Sequence, residues 1–235
     1  MIKNIFYDLD GTLLPMDMDE FTNFYFVRLV KKTAPYGYEA ESMIANIWKG
    51  TRAMVLNDGT KTNEEAFWDD FTKNMGKPLE DKAIFTDFYA NEFNEAIAVV
   101  HPDERIPKLI KTVKAMGFTQ TLATNPIFPE VATVNRIRWA GLDREDFTTF
   151  TTYEHCRYCK PTVNYYLELC KELGFKPEET LMVGNDVDED MIAETIGMKV
   201  FLITAFMLNK HNKDINLYPH GDWDDLLEYI KHIND

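Results

Sequence analysis

Cysteine is scarce in this chain, and its scarcity removes one class of small, covalently stapled proteins. Cys156, Cys159 and Cys170 are the only three in 235 residues, an odd number too small for a disulfide framework, so free thiols in a reducing compartment are expected. Long apolar runs are missing as well. No stretch approaches the roughly 18 to 20 apolar residues of a membrane-spanning helix, and the opening residues reach Asp8 and Asp10 too early for a signal peptide. A cytoplasmic location with no membrane partner is the expectation. Positive charge is the third shortage: 25 Lys and Arg stand against 39 Asp and Glu, for a formal net charge of −14. With no basic run to offset it, this charge repels nucleic acid, which is not an expected partner. It would oppose a small phosphate ester too, so a phosphate site here would need local positive potential from a lysine and a metal ion. Internal repeats and low-complexity linkers are also absent, while a 45% hydrophobic content is enough to bury a core.

What is present has two grammars. Residues 2 to 9 form a short apolar run that ends at the turn signal Asp10-Gly11, and they read as a buried strand. From about 16 to 97 the pattern is helical. Met43, Ile44, Ile47, Trp48, Thr51, Met54 and Val55 recur at 3.6-residue spacing, as do Phe85, Phe88, Tyr89 and Phe93. Thr62 with Glu65 makes a capping box, and Gly37, Gly59 and Gly76 divide the stretch into about four helices. From residue 103 onward, helices and strands alternate, which predicts a parallel sheet with helices on both faces. Expected strands lie at 118–124, 180–184 and 199–203, with helices at 104–116 and about 222–233. Pro129 and Gly141 bracket another helix, Pro161 and Gly174 a further one. The fold class is therefore α/β, a Rossmann-like core of residues 1–15 and 98–235 with a helical insert at 16–97.

In open parallel sheets, ligands sit at the carboxyl ends of the strands. Four sets of polar groups fall there: Asp8 and Asp10, Thr124 and Asn125, Asn185 and Asp186, and Lys160 in a loop before a helix. Asp8 and Asp10, two residues apart on an extended strand end, can address one point. Two close carboxylates repel unless they share a cation or a proton, and either arrangement suits phosphoryl transfer. Asp186 and Asp190 add oxygen ligands, and an oxygen-rich site favours Mg²⁺ over zinc.

These residues, taken in order, resemble the haloacid dehalogenase superfamily of aspartate-nucleophile hydrolases. Asp8-Leu9-Asp10-Gly11-Thr12 is similar to its first motif, Thr124 to its second, Lys160-Pro161 to its third and Gly184-Asn185-Asp186 through Asp190 to its acidic fourth. The helical insert is similar in location and character to the family's type 1 caps. The resemblance implies a phosphatase in which Asp8 attacks phosphorus and Asp10 acts as acid and then base. It implies that Thr124, the amide of Asn125 and Lys160 bind the phosphoryl group, and that Asp8, Asp10 (through its carbonyl) and Asp186 hold Mg²⁺, with Asp190 in support. The fourth motif departs from the usual Gly-Asp. Either Asp186 is the metal ligand with Asp190 four residues on, or Asn185 takes that position with Asp190 five on; a carboxylate is the better Mg²⁺ ligand. A small phosphorylated metabolite is the expected partner. A phosphomutase on the same core and a non-catalytic phosphoprotein-binding module are the rival readings.

Plainer readings compete at several positions. Asp-Gly after a strand is a common turn, and the acids at Asp188 and Glu189 suit a helix N-terminus. Cys156-x-x-Cys159 has no second pair at metal spacing, which disfavours a zinc site. Lys49 and Arg52 in the insert are usually solvated charges in such a pattern, yet they are candidate substrate contacts because a cap over an anion needs cations.

Overall fold

The computed structural model describes residues 1–235. Strand β1 (Asn4–Tyr7) is buried at every position, as a strand must be when it has parallel neighbours on both sides and helices on both faces. With β2 (Thr119–Leu122), β3 (Thr180–Gly184), β4 (Lys199–Ile203) and β5 (His220–Gly221) it forms one parallel sheet in the order β2-β1-β3-β4-β5. The two-residue periodicity of the strands splits the core. Ile5, Tyr7, Leu181, Val183, Phe201 and Ile203 pack into one apolar layer, while Phe6, Met182, Val200 and Leu202 pack into the other.

Between β1 and β2 the chain leaves the sheet and forms α1 (Met18–Thr33), α2 (Ala40–Val55), α3 (Asn63–Met75) and α4 (Lys82–Ala90). A 3-10 segment, Glu92–Val99, brings it back. The outgoing and returning strands of this excursion are tied together: Met16 bridges Val100, and the amide of His101 donates to the carbonyl of Pro15 at 2.8 Å. The Thr62–Glu65 capping box is formed as the sequence predicts, and Gly76 ends α3 in the left-handed region at φ 61°. Thr62 caps a helix that is joined to the core at its first turn. Asn63, fully buried, donates from Nδ2 to the carbonyls of Pro126 and Tyr158 and to the sulfur of Cys159, each at 3.3 Å. The amides of Asn63 and Glu64 donate to the carbonyls of Cys156 and Tyr153, both at 2.8 Å.

The second half alternates as expected, with α5 (Arg105–Ala115), α6 (Glu130–Trp139), α7 (Val163–Leu173) and α8 (Trp223–Lys231). Three details differ from the sequence reading. Pro161 lies before the cap of α7, and Thr162 takes the N-cap role by accepting from the amide of Asn164. The helical spacing through Phe93 crosses a real break at Asn91 between α4 and the 3-10 segment. Strand β5, two residues long at the sheet edge, carries no apolar alternation that could have announced it.

Candidate active site

Three adjacent strands end at one place. Asp8 follows β1, Thr124 and Asn125 follow β2, and Asn185 and Asp186 follow β3, so the sheet order alone brings these side chains to a common carboxyl edge. The amide of Asp8 still donates to the carbonyl of Val183 at 2.8 Å, which fixes the backbone at the strand exit. Gly11 then turns the chain at φ 82°. A Cβ there would lie 2.2 Å from Nδ2 of Asn185, so only glycine permits both the turn and the close approach. The loop is held from below by Trp223 of α8, whose indole N–H donates to the carbonyl of Thr12 at 2.9 Å.

Lys160 arrives from the loop ahead of α7 with 1% exposure. Its Nζ donates to Oδ1 of Asp8 at 2.9 Å and to Oδ1 of Asp190 at 2.6 Å. Desolvation penalises the ammonium, but the two carboxylates more than compensate, and its pKa is raised above the ordinary lysine value. Asp190 is pushed in the opposite sense for its charge: burial raises its carboxyl to about 7, against the pull of Lys160. The geometry favours a charged lysine between two acids, because a bare amine would leave both carboxylates unpaired in a dry site. Asp190 reaches this position only because residue 184 is glycine, since a Cβ there would sit 2.0 Å from Oδ2 of Asp190.

The remaining acids are distinguished by what already binds them. Both oxygens of Asp190 are used within the protein, Oδ1 by Lys160 and Oδ2 by the amide of Asp186 at 3.0 Å. Asp186 gives Oδ1 to the amides of Asp188 and Glu189 at 2.8 and 3.0 Å, which leaves Oδ2 without a protein partner in a residue that lines the cavity. Asn185 is fully engaged: Oδ1 accepts from the Thr12 hydroxyl at 3.1 Å and Nδ2 donates to the carbonyl of Phe206 at 2.6 Å. Oδ2 of Asp8 lies 3.3 Å from the same Thr12 hydroxyl and is the more distant of the two acceptors for its single proton. Asp10 forms an ion pair with the guanidinium of Arg136. Its Oδ1 is buried with no partner, as is Oδ1 of Asn125. Burial raises the Asp10 carboxyl, Arg136 lowers it and Asp8 raises it again, and the net position is above its ordinary 3.8.

Of the groups expected at the metal from sequence, Asp8, the carbonyl of Asp10, Asp186 and the supporting Asp190, the side chain of Asp190 is committed to partners within the protein. No three acidic, histidine or cysteine side chains converge into a cage, because Asp190 turns to Lys160 and Asp10 to Arg136. The donors that do fit a divalent ion are Oδ2 of Asp186 and the carboxylate of Asp8. Two carboxylates completed by a carbonyl, water and phosphate oxygens suit Mg²⁺, which seldom occupies an all-protein cage. The charge balance fits as well: Asp8, Asp10, Asp186, Glu189 and Asp190 all line this end of the cavity, against two buried cations, Lys160 and Arg136.

Lys49 and Arg52 are not brought to the site. On α2 the positions that line the cavity are Ile47, Trp48, Thr51 and Val55, one helical face, and 49 and 52 lie off it, exposed. Lys49 instead donates to Oδ1 of Asn46 at 3.2 Å. Two neighbours of the site, Arg136 and Lys210, were missed, and a third, Glu189, was read only as an acid suited to a helix N-terminus. Arg136 is wholly buried on α6, Glu189 accepts from Nδ2 of Asn125 at 2.9 Å, and Lys210 lines the cavity from the loop after β4. For Arg136 a signal existed: it shares a helical face with Thr133, Ile137 and Ala140, all buried. The Cys156 and Cys159 thiols are both pushed upward by burial, Cys156 to about 12, and protonated thiols are poor metal ligands.

A strand-borne aspartate pair, a buried lysine and an acidic loop at one sheet edge define a hydrolase class, and the chain belongs to it: the haloacid dehalogenase-like hydrolase family matches residues 2–193. Among curated relatives, the chain is similar to a glyceraldehyde 3-phosphate phosphatase of Methanocaldococcus jannaschii, 28% identical across 99% of each chain. Among solved structures, a HAD phosphatase from Thermococcus onnurineus shares the fold at TM-score 0.61 and 18% identity, over 99% of this chain and 97% of that one. An L-2-haloacid dehalogenase from Xanthobacter autotrophicus also shares it, at TM-score 0.59 and 14% identity, over 99% and 100%. The fold is thus common to both chemistries. No helix is long and apolar enough to cross a membrane.

Proposed function

We propose that the chain is a Mg²⁺-dependent phosphohydrolase of a small phosphorylated metabolite in the cytoplasm, working through an aspartyl phosphate on Asp8. The observation that carries this reading is the Asp8 carboxylate gripped on Oδ1 by buried Lys160, with a second carboxyl, Asp10, on the same strand exit. Oδ2 of Asp8, held only by the longer bond from Thr12, is the attacking atom. As it bonds to phosphorus, the bond from phosphorus to the ester oxygen breaks, and Asp10 gives that oxygen its proton. Asp10 then takes a proton from water, whose oxygen displaces Asp8 and releases inorganic phosphate. A carboxyl raised by burial, as Asp10 is, suits a group that must be protonated in one step and ionised in the next. Thr124 and the amide of Asn125 would hold phosphoryl oxygens, and Lys160 would offset the charge of nucleophile and phosphate.

Mg²⁺, held by Asp8, Asp186 and the carbonyl of Asp10, would supply positive charge to the phosphoryl oxygens. Asp190 serves this site by fixing Lys160 and the amide of Asp186. The core of residues 1–15 and 98–235 supplies the chemistry, and the insert at 16–97 covers it as a cap. Asp10 weighs against dehalogenation, in which no alkoxide needs a proton. The named activity of the Methanocaldococcus relative supports phosphate ester hydrolysis over the dehalogenase alternative.

The test is release of inorganic phosphate from an aryl phosphate by the pure protein, with and without Mg²⁺. Turnover should require the metal and fall by about three orders of magnitude or more in Asp8→Asn. Undiminished turnover in that variant would refute the covalent role. Product analysis with a sugar phosphate, with and without a bisphosphate activator, separates hydrolysis from a mutase.

A further inference from the structure

The cavity above the carboxyl edge has a volume of about 480 Å³, within the range of sites for small organic ligands. A cavity of about 150 Å³ already holds one benzene ring, so the space here takes a phosphoryl group and a ring system together. Its two ends differ in chemistry. One end is the acidic group around Asp8. The other is built by the insert and by residues after β2, and its walls are rings: Phe26, Trp48, Phe67, Tyr89 and Phe128 all line it.

Several polar atoms of that far end are already engaged within the protein, with the Thr22 hydroxyl an exception among the lining side chains of the insert. The Tyr25 and Tyr89 hydroxyls bond at 2.8 Å, the indole N–H of Trp68 donates to the Tyr153 hydroxyl at 3.4 Å, and the Thr51 hydroxyl donates to the carbonyl of Ile47 at 3.0 Å. A polyhydroxylated leaving group entering here would lose hydrogen bonds to water and find few replacements. Charge points the same way. The one ionisable acid or base that the insert contributes to the lining is an acid, Asp19. The one lining cation, Lys210, belongs to the loop whose Leu208 is bonded to Asn185 and Val187 at 2.9 Å, beside the phosphoryl end. The cation packed against that end, Arg136 on the Phe128 ring, is buried and already paired with Asp10, which leaves it no free charge for a second phosphate.

We infer that the substrate is the monophosphate of an aromatic alcohol, a single phosphoryl group on a hydrophobic ring-bearing leaving group, in preference to a sugar, triose or bisphosphate. The inference rests on the phosphohydrolase reading and goes past it by assigning the leaving group. Ring–ring contact and apolar burial supply the discrimination, and they act alike on the bound substrate and its transition state, so the preference appears in kcat/KM through KM.

The experiment compares benzyl phosphate with glycerol 3-phosphate, two esters of primary alcohols, so that leaving-group reactivity is closely matched. With full-length protein and Mg²⁺, kcat/KM for benzyl phosphate should exceed that for glycerol 3-phosphate by about tenfold or more, chiefly through KM. Trp48→Ala, at a half-exposed ring that is not needed to fill the core, should cut that ratio by about fivefold or more, and Val55→Thr should shift it in the same direction. An equal or reversed ratio in the native protein would overturn the substrate assignment and leave the phosphohydrolase reading intact. Absence of phosphate release from both esters and from a broad ester panel would overturn the two together.

Discussion

At the residue scale, the site depends on buried charges that hold one another in place. Arg136 is paired with Asp10 and also lies 4.5 Å from the centre of the Phe128 ring. Arg136→Met leaves Asp10 buried beside Asp8 without its ion-pair partner, and should cost about 3–5 kcal/mol in urea unfolding. Adding Asp10→Asn removes the uncompensated carboxylate, so the double variant should recover part of that loss; strict additivity would show that the two side chains do not couple. The fourth motif makes a second residue-level prediction. With Asn185 engaged at both polar atoms and Oδ2 of Asp186 without a protein partner, Asp186→Ala should raise the Mg²⁺ concentration for half-maximal activity more than Asn185→Ala does. The opposite order in a metal titration would assign the ligand to Asn185. Much of this was legible in the sequence because strand-end carboxylates two residues apart and a lysine before proline stand out from their surroundings. Arg136 was harder to read, since an arginine in a helix ordinarily extends to solvent; its place on a buried helical face hints at burial, but its partner lies 126 residues away.

At the element scale, buried parallel strands were the easiest to read. The boundaries of β3 and β4 fall where apolar residues predict them, whereas β1 and β2 are shorter than expected at both ends, although the amides of Asp8 and Ala123 still donate to the neighbouring strands at the exits that form the site. On α2 the apolar positions were recognised but their destination was not. A stripe that lines a cavity has the same spacing as one that packs in a core, which is why Lys49 and Arg52 were assigned to the ligand and Trp48 to packing. Helix α8 gives a pH prediction. Asp222 caps it, accepting from the amides of Asp225 and Asp224 and from Arg105, and these donors hold its carboxyl below its ordinary 3.8. A group with a depressed folded-state pKa contributes stability above its unfolded value and loses that contribution as pH falls through the folded one. Thermal unfolding between about pH 5 and pH 3 should therefore decline less steeply in Asp222→Asn than in the native chain. Identical slopes would show that this cap has no part in acid sensitivity.

At the scale of the whole molecule, the helical excursion is tied to the core at several places, one of them the packing of α4 on α6, where Nδ2 of Asn135 donates to the carbonyl of Tyr89 at 3.2 Å. Two further ties are the Met16–Val100 bridge and the first turn of α3 against residues 153–159. At the last of these, Asn63 supplies three side-chain contacts from a fully buried amide. Asn63→Ala should destabilise the fold by about 1–3 kcal/mol, since it leaves carbonyls unsatisfied. It should also lower activity, although Asn63 does not line the cavity. Unchanged kcat/KM in a folded variant would show that the two regions act independently. This joint was invisible in sequence because Thr62–Glu65 marks only where α3 starts, and nothing in the local pattern says which carbonyls its neighbour will meet.

Residues 153–159, which grip α3, run directly into Lys160. The stretch that delivers the amine to Asp8 is therefore shaped partly by the helices overhead. Grafting a foreign helical segment onto this sheet, with the splice made only at the Pro15 and His101 crossing, would leave the 153–159 loop without its acceptor-matched neighbour. A functional chimera would need that loop to travel with the donor helices.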